Sequence, residues 1–181
     1  MKGEAGTTSD IVELRDHDPS WPAMFQKERD LVISCLEGVA VSVDHIGSTA
    51  VPGLRAKPII DLLVSVPNLE LDQVIEPLTS IGYVHMPIPD VGRLFFRKGM
   101  PRTHHLHVVV DGGPEHWKHI RFRDRLISHP EDLREYARLK EELALKYRND
   151  RTAYSDGKDA LIEDILARDD RERAAAEGHR S

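Results

Sequence analysis

The chain has 181 residues, of which 40% are hydrophobic and 31% charged, and its formal net charge is -6. That length suits one domain with a core of its own, and the acidic balance excludes the global basic field of a sequence-independent nucleic-acid binder. The single cysteine, Cys35, excludes a disulfide framework and a thiolate zinc site within the chain. Binding of a small anionic ligand is still possible, because a local cluster of Arg and Lys can hold it.

The start of the chain shows no targeting pattern, and the sequence predicts no membrane span. Residues 1–10 lack a basic segment followed by an apolar one, and no apolar run approaches the roughly 20 residues that a membrane span needs. We therefore expect a cytoplasmic protein without a membrane partner. We also expect residues 1–9 and 170–181, which are polar or charged, to form flexible tails.

The first third of the chain predicts three strands and a helix. Residues 11–14 fit a short strand, and Ser20 is a candidate N-cap for an amphipathic helix that ends at Gly38. Residues 41–46 then alternate as in a strand. Residues 59–66 form a near-continuous apolar run, which is typical of a strand covered on both faces.

The middle of the chain predicts one more helix and three more strands. Residues 69–81 have helical periodicity, although Pro77 should kink or shorten the helix. Residues 98–102 contain Gly and Pro and predict a hairpin connection between two strands. The strand-like segments in this part are residues 83–86, 94–97 and 105–110.

After residue 112 the composition changes and predicts helices alone, at about residues 115–128, 131–147 and 156–167. Strands and helices that alternate loosely and then give way to helices indicate the α+β class. We therefore predict a mixed β-sheet flanked by helices, with a C-terminal helical segment packed on it. The single domain would span residues 10–170, with an α/β core at 10–112 and a helical part at 114–168.

Asp61 stands out because it is a lone carboxylate inside the apolar run of residues 59–66. Burying an unpaired carboxylate is expensive, so such a group usually meets a metal, a cation or the mouth of a cleft. A structural ion pair with Arg55 or Lys57 is the alternative. Lys57 itself fits either a phosphate ligand or an ordinary loop charge.

Gly47 and Ser48 follow directly on the strand predicted at residues 41–46. Glycine lets the backbone approach a phosphate closely, and serine adds a hydroxyl donor. Such a pair alone is more often a turn. Together with Asp61 on the next strand, it supplies a phosphate cradle and a metal-binding carboxylate, the minimum for handling a magnesium nucleotide.

Two histidines open the strand predicted at residues 105–110. His105 and His107 point to the same face of that strand, so their imidazoles could converge on a metal or a phosphate. A single histidine on a sheet face is more often a packing residue. Arg93 and Arg97 share a face of the preceding strand and could supply cations to the same cleft, although a surface hairpin explains them equally well.

The predicted helices carry weaker candidates. His116, His119 and Arg123 fall on one side of the helix at residues 115–128, a pattern that a solvated polar face explains best. Lys158 precedes a helix, where a phosphate would also be welcome, but one lysine is weak evidence.

Several motifs together resemble the GrpB family. They are Trp21-Pro22, the segment HIGSTAVPGL at residues 45–54, KPIID at 57–61, FRKG at 96–99, RTHHLHVV at 102–109, and His129-Pro130. The resemblance runs from about residue 11 to about residue 167. It implies a place in the nucleotidyltransferase superfamily and kinship with the GrpB-like extension of some dephospho-CoA kinases.

The superfamily pattern implied by this resemblance has a Gly-Ser, two acids at i and i+2 on the next strand, and a third acid on a later strand. Residues 47–48 match the Gly-Ser and Asp61 matches the second acid, but Ile59 stands where the first acid would be. The third position falls on the strand of His105 and His107, which offers imidazoles in place of a carboxylate.

The resemblance implies a metal-dependent nucleotidyltransferase that transfers a nucleoside monophosphate from an NTP to a small-molecule acceptor, with Mg or Mn as cofactor. Asp61, His105 and His107 would be catalytic, and Asp61 and His107 would hold the metal. The residues expected to bind the nucleotide and its pyrophosphate are Gly47, Ser48, Lys57, Arg93, Arg97, Arg102 and Arg123.

The alternative is a catalytically inactive module that binds a nucleotide or a coenzyme A precursor. Ile59 favours this alternative, because it removes one of the oxygen ligands that two hard metal ions need. The sequence leaves open the acceptor, the base, the metal and the oligomeric state. It predicts no nucleic-acid partner.

Overall fold

A five-stranded mixed sheet forms the centre of the molecule in a computed structural model that describes residues 11–88 and 92–178. The strands are β1 (Ser42–Ile46), β2 (Ile60–Val66), β3 (Tyr83–Met86), β4 (Arg93–Lys98) and β5 (His104–Val110), in the spatial order β1-β2-β5-β4-β3. β2 and β5 run parallel, whereas the other neighbouring strands run antiparallel.

Helices cover both faces of this sheet. They are α1 (Trp21–Cys35), α2 (Leu71–Ser80), α3 (Pro114–Ser128), α4 (Pro130–Lys146), α5 (Arg151–Asp156) and α6 (Asp159–Gly178). Because successive strand residues point to opposite faces, β2 contributes to two cores. Leu62 and Val64 pack in the core that includes residues of α1 and α2, and Leu63 packs against Ile120 of α3. The predicted α+β class, with a C-terminal helical segment on a mixed sheet, is confirmed.

The N-terminal part differs from its prediction in two details. Residues 11–14 form no strand, because their backbone pairs outside the sheet: the Val12 amide donates to the Arg148 carbonyl oxygen at 2.8 Å. Ser20 does precede α1, but its side chain does not cap the helix, and α1 ends at Cys35, before the expected Gly38.

The middle of the chain follows its prediction closely. α2 is shorter than the periodic segment and accommodates Pro77 within it. β4 and β5 form the predicted antiparallel hairpin, in which Lys98 pairs with His104. Local patterns of Gly, Pro and alternating apolar residues therefore located these elements within a few residues.

The C-terminal part contains more helix than predicted. The sequence predicted a flexible tail from residue 170, whereas in the structure α6 continues through these residues as far as Gly178. Arg121 and Arg125 of α3 form ion pairs with acidic residues of this extension, among them Glu172. The other predicted tail residues, 1–9 and 179–181, lie outside the described part of the chain. No helix within residues 11–88 and 92–178 is long and apolar enough to cross a membrane.

Candidate functional site

A cleft of about 460 Å³ lies between the sheet and helices α3 to α6, where β2 and β5 begin. The sequence indicated seven of its lining residues as site residues: Gly47, Ser48, Lys57, Asp61, Arg93, His105 and His107. The two weaker candidates His119 and Lys158 also line it. Residues from two neighbouring parallel strands and from the turn after β1 therefore meet in one place.

Asp61 and His105 form a hydrogen-bonded pair at the sheet face of the cleft. They stand opposite each other on β2 and β5, and His105 Nδ1 lies 3.1 Å from Asp61 Oδ1. Burial alone would raise the pKa of Asp61, but the hydrogen bond from His105, with the nearby Lys57, outweighs burial and lowers it. Asp61 is therefore ionised at neutral pH, and His105 Nδ1 carries the shared proton.

The Gly47-Ser48 turn lies directly against this carboxylate. Gly47 has a φ of +70°, and a Cβ built on it would lie 2.9 Å from Asp61 Cγ and closer still to Oδ2. A hydrogen bond between Thr49 Oγ1 and His45 Nε2, at 2.9 Å, joins the residues that follow the turn to β1. Only glycine fits this position without moving the turn or the carboxylate.

His107 is paired with a permanent cation. Arg93 Nη1 lies 2.9 Å from His107 Nδ1, and burial lowers the pKa of His107 well below its usual range. His107 is therefore neutral, and its Nδ1 accepts a hydrogen bond from the guanidinium. The remaining proton of the ring resides on Nε2.

Three lysines, which we call the lysine cluster, converge on the opposite side of the cleft: Lys57, Lys140 and Lys158. The ammonium nitrogens of Lys57 and Lys158 lie 5.0 and 4.7 Å from the ring centroid of Tyr154. Lys140 lies 5.6 Å from the centroid of Tyr136 and is only 2% exposed. The aromatic rings thus hold three positive groups in a small volume.

Among the residues that the structure describes, the three lysines form no direct ion pair with a carboxylate in the cleft. The carboxylates of Asp61, Asp156 and Asp159 nevertheless also line it, and Lys140 Nζ donates to the Arg55 carbonyl oxygen at 2.5 Å. Burial, followed by repulsion from neighbouring cations, lowers the pKa of Lys57 and of Lys140 to about 7. Burial also lowers the pKa of Lys158. The cluster is therefore partly neutral in the empty cleft, and a bound anion would favour its charged form.

Two residues on the lysine side of the cleft, Lys140 and Tyr154, were not predicted as site residues. Lys140 interrupts the apolar stripe of α4, as Asp61 interrupts β2, so a signal existed for it. Tyr154 gave no such signal, because α5 has six residues and is too short for a helical period to show.

Three predicted ligand-binding arginines lie outside the lining of the cleft: Arg97, Arg102 and Arg123. Arg97 Nη2 reaches Met86 Sδ on the neighbouring strand, at 2.8 Å. Arg123 Nη1 donates to the carbonyl oxygen of His45 at 3.0 Å. Arg123 therefore contributes to the packing of α3 on β1.

The side chains at the cleft do not fit the predicted metal centre. Within residues 11–88 and 92–178, no group of three or more His, Cys, Asp or Glu could hold a metal ion. The Oδ1 atom of Asp61 is bound by His105. His107 has no free lone pair on its ring, because Nδ1 accepts from Arg93 and Nε2 carries the proton. Asp61 and His107 therefore cannot act together as ligands in this arrangement.

The fold and the site define an α+β protein with a cleft between an Asp–His pair and a lysine cluster. Residues 11–168 match the family described as GrpB protein. The chain therefore belongs to the GrpB family, and the resemblance seen in the sequence is confirmed.

Two relatives cover most of the chain. A UPF0157 protein of Pseudomonas aeruginosa is 42% identical over 166 residues, which are 88% of this chain and 68% of that protein. The crystal structure of the conserved protein GrpB from Enterococcus faecalis is 36% identical, with a TM-score of 0.78, and the match covers 84% of this chain and 94% of that one. The described fold is thus that of a solved GrpB structure.

A third relative shows the same family as part of a longer protein. A dephospho-CoA kinase of Mycolicibacterium paratuberculosis is 28% identical over 185 residues, which cover 87% of this chain and 46% of that protein. The kinship with an extension of dephospho-CoA kinases, implied by the sequence motifs, is therefore also confirmed.

Proposed function

We propose that the cleft binds a phosphorylated small molecule of the nucleotide type, with its phosphates against the lysine cluster. The observation that carries this proposal is the convergence in one cleft of three lysines, none of which forms an ion pair with a carboxylate among the described residues. A desolvated ammonium group without a counter-ion is costly, so the free energy of an anion bound there includes the relief of that cost.

The rest of the cleft suits the organic part of such a ligand. Its volume of about 460 Å³ lies in the range of small-molecule sites. Phe95 of β4, Phe122 of α3 and Ile162 of α6 line the cleft and offer contact area to a base or another apolar group. Ser48 also lines the cleft, and its side chain is hydrogen-bonded with Tyr136.

Two classes of ligand meet these requirements. Nucleoside triphosphates carry a phosphate chain and a base, and a coenzyme A precursor such as dephospho-CoA carries a pyrophosphate and an adenosine. The relative named dephospho-CoA kinase brings the second class into consideration. The ligand panel for this chain therefore contains ATP, UTP and dephospho-CoA.

Calorimetric titration of the full chain with this panel tests the proposal. We expect Lys140→Met, which removes the charge and keeps the length of the side chain, to weaken binding by about 10- to 100-fold, since charged hydrogen bonds contribute roughly 1.5–3 kcal/mol. Lys146→Met is the matched control, because Lys146 also lies 5.0 Å from a tyrosine ring but outside the cleft. Absence of binding by every ligand, or equal losses in both variants, would contradict the proposal.

Nucleotidyl transfer is the second candidate function. It is supported by the contact between the Gly47 turn and the ionised carboxylate of Asp61, which would place a base beside a bound phosphate. The assay measures pyrophosphate release from labelled NTPs with candidate acceptors, with and without Mg or Mn. Turnover that disappears in a folded Asp61→Ala variant would support transfer, whereas binding without pyrophosphate release would leave a binding module.

A further inference from the structure

Beside Asp61 the cleft presents positive side chains and few oxygen ligands for a divalent ion. A nucleotide-bound Mg²⁺ needs near-octahedral oxygen ligands, of which the protein usually supplies one or two carboxylates. Here β2 offers a single acid, Asp61, because the residue two positions earlier is Ile59. The ionised Asp61 is bonded on Oδ1 by His105, and Oδ2 faces the backbone of Gly47.

Arg93 also disfavours a divalent ion beside Asp61. Its guanidinium donates to His107 Nδ1 at 2.9 Å. His107 lies on β5, the strand next to that of Asp61, and points to the same face of the sheet as Asp61. An arginine stays charged at every physiological pH and presents several donors in a planar fork that fits phosphate oxygens. Its positive charge, together with the ring proton of His107, disfavours a metal ion at this edge of the cleft.

The lysine cluster completes the arrangement from the opposite side. A divalent ion on a nucleotide neutralises the phosphate chain, and Lys57, Lys140 and Lys158 provide up to three positive charges for the same purpose. We infer that this chain binds its phosphorylated ligand without a divalent metal, with Arg93 and the lysine cluster in the place of the ion. This inference rests on the proposed function, because it concerns the same cleft and the same ligand class.

The test is a calorimetric titration of the full chain with ATP and with dephospho-CoA, each in EDTA and in excess MgCl₂ or MnCl₂. We expect the affinity in EDTA to match or exceed the affinity with metal, since a metal ion competes with the lysines for the phosphates. Binding that falls about 10-fold or more in EDTA, a loss of the size that removal of a charged contact gives, would overturn the inference. That result would leave the proposed function intact.

The two proposals can fail separately. If neither ligand binds in any of the three conditions, the proposed function and this inference both fall. If the ligands bind only with metal, the inference alone falls. Titration of the ligand-free chain with Mn²⁺, followed by electron paramagnetic resonance, adds a readout independent of the ligand. We expect no difference in bound Mn²⁺ between the wild type and Asp61→Asn, and an Asp61-dependent Mn²⁺ site would overturn the inference.

A matched pair of arginine variants tests whether the charge of Arg93 contributes to ligand binding. Arg93→Gln should weaken ligand binding in EDTA by about 10-fold, the loss expected for one charged contact. Arg97→Gln should leave it unchanged, because Arg97 lies on the same strand outside the cleft. An unchanged affinity in Arg93→Gln would remove Arg93 from the binding site and overturn its part in the inference. Circular dichroism of both variants confirms that the fold is retained.

Discussion

At the scale of single residues, Gly47 joins the turn after β1 to the acid on β2, because its backbone lies against the carboxylate of Asp61. Two separate demands fall on this position: a φ of +70°, and no space for a Cβ. Gly53 has a similar φ of +77°, but no heavy atom lies within 4 Å of the place where its Cβ would be. Gly47 also has a ψ of -170°, a backbone conformation that is essentially confined to glycine, so its replacement combines backbone strain with steric crowding.

We expect Gly47→Ala to lower the free energy of unfolding more than Gly53→Ala does. The left-handed conformation alone should cost Gly53→Ala about 1–2 kcal/mol. Gly47→Ala should lose roughly 1–3 kcal/mol in addition, because the turn or the carboxylate must move. Urea unfolding measures both changes. Equal losses in the two variants would contradict the close approach of turn and carboxylate.

Site residues were predictable from the sequence where a charged side chain interrupts an apolar pattern. Asp61 in β2 is such a residue, and the cost of burying its charge is the physical reason that it signals a site. Lys140 gives the same signal on α4. The position of Arg97 was not predictable, because a strand fixes the face of a side chain but not the direction in which a long side chain reaches.

At the scale of elements, a buried ion pair joins α3 to α4, and an arginine of α6 pairs with the same carboxylate. Arg125 is 4% exposed and Asp132 is 1% exposed, and Arg125 Nε lies 2.6 Å from Asp132 Oδ2. Arg168 of α6 reaches the other oxygen of Asp132 at 2.7 Å. The composition of residues 169–181 resembles a disordered tail, whereas α6 continues as far as Gly178 and Arg125 also pairs with Glu172 within it.

We expect Asp132→Asn to lower the free energy of unfolding by about 3 kcal/mol, because it removes the buried negative partner of Arg125 and Arg168. Glu142→Gln is the control. Its carboxylate pairs with Arg138 on the exposed surface of α4, where such a pair contributes only about 0.3–0.5 kcal/mol. Thermal and urea unfolding of both variants measure the difference. A loss below about 1 kcal/mol in Asp132→Asn would show that the pair is dispensable.

At the scale of the whole molecule, the site depends on strand order and register. β2 and β5 are neighbours although β3 and β4 separate them along the chain. Their register places Asp61 opposite His105, and a shift by one residue would turn His105 to the other face of the sheet. Local periodicity located these strands, but it carries no information about which strands pair. The meeting of Asp61 and His105 therefore had to come from the structure or from the family resemblance.

The lysine cluster also links protonation to folding. The pKa of Lys57 and Lys140 is about 7 in the folded protein and near the ordinary 10.5 in the unfolded chain. The unfolded chain therefore binds more protons between about pH 7 and pH 10, and the free energy of unfolding should fall as the pH decreases through this range. Below about pH 7 both states are protonated, and this contribution becomes constant.

Ligand binding should reverse this effect and draw protons into the cleft. A bound anion favours charged lysines, so the affinity should decrease as the pH rises above about 7, by up to about 10-fold per pH unit for each lysine that must be protonated. Sulfate is a suitable probe because its own charge is constant from about pH 6 to pH 9. Titrations in buffers of different ionisation enthalpy should show net proton uptake by the wild type at about pH 8, and less uptake by Lys140→Met. An affinity for sulfate that does not change with pH would show that the lysines are already fully charged before sulfate binds, and net proton release would contradict the predicted uptake by the lysines.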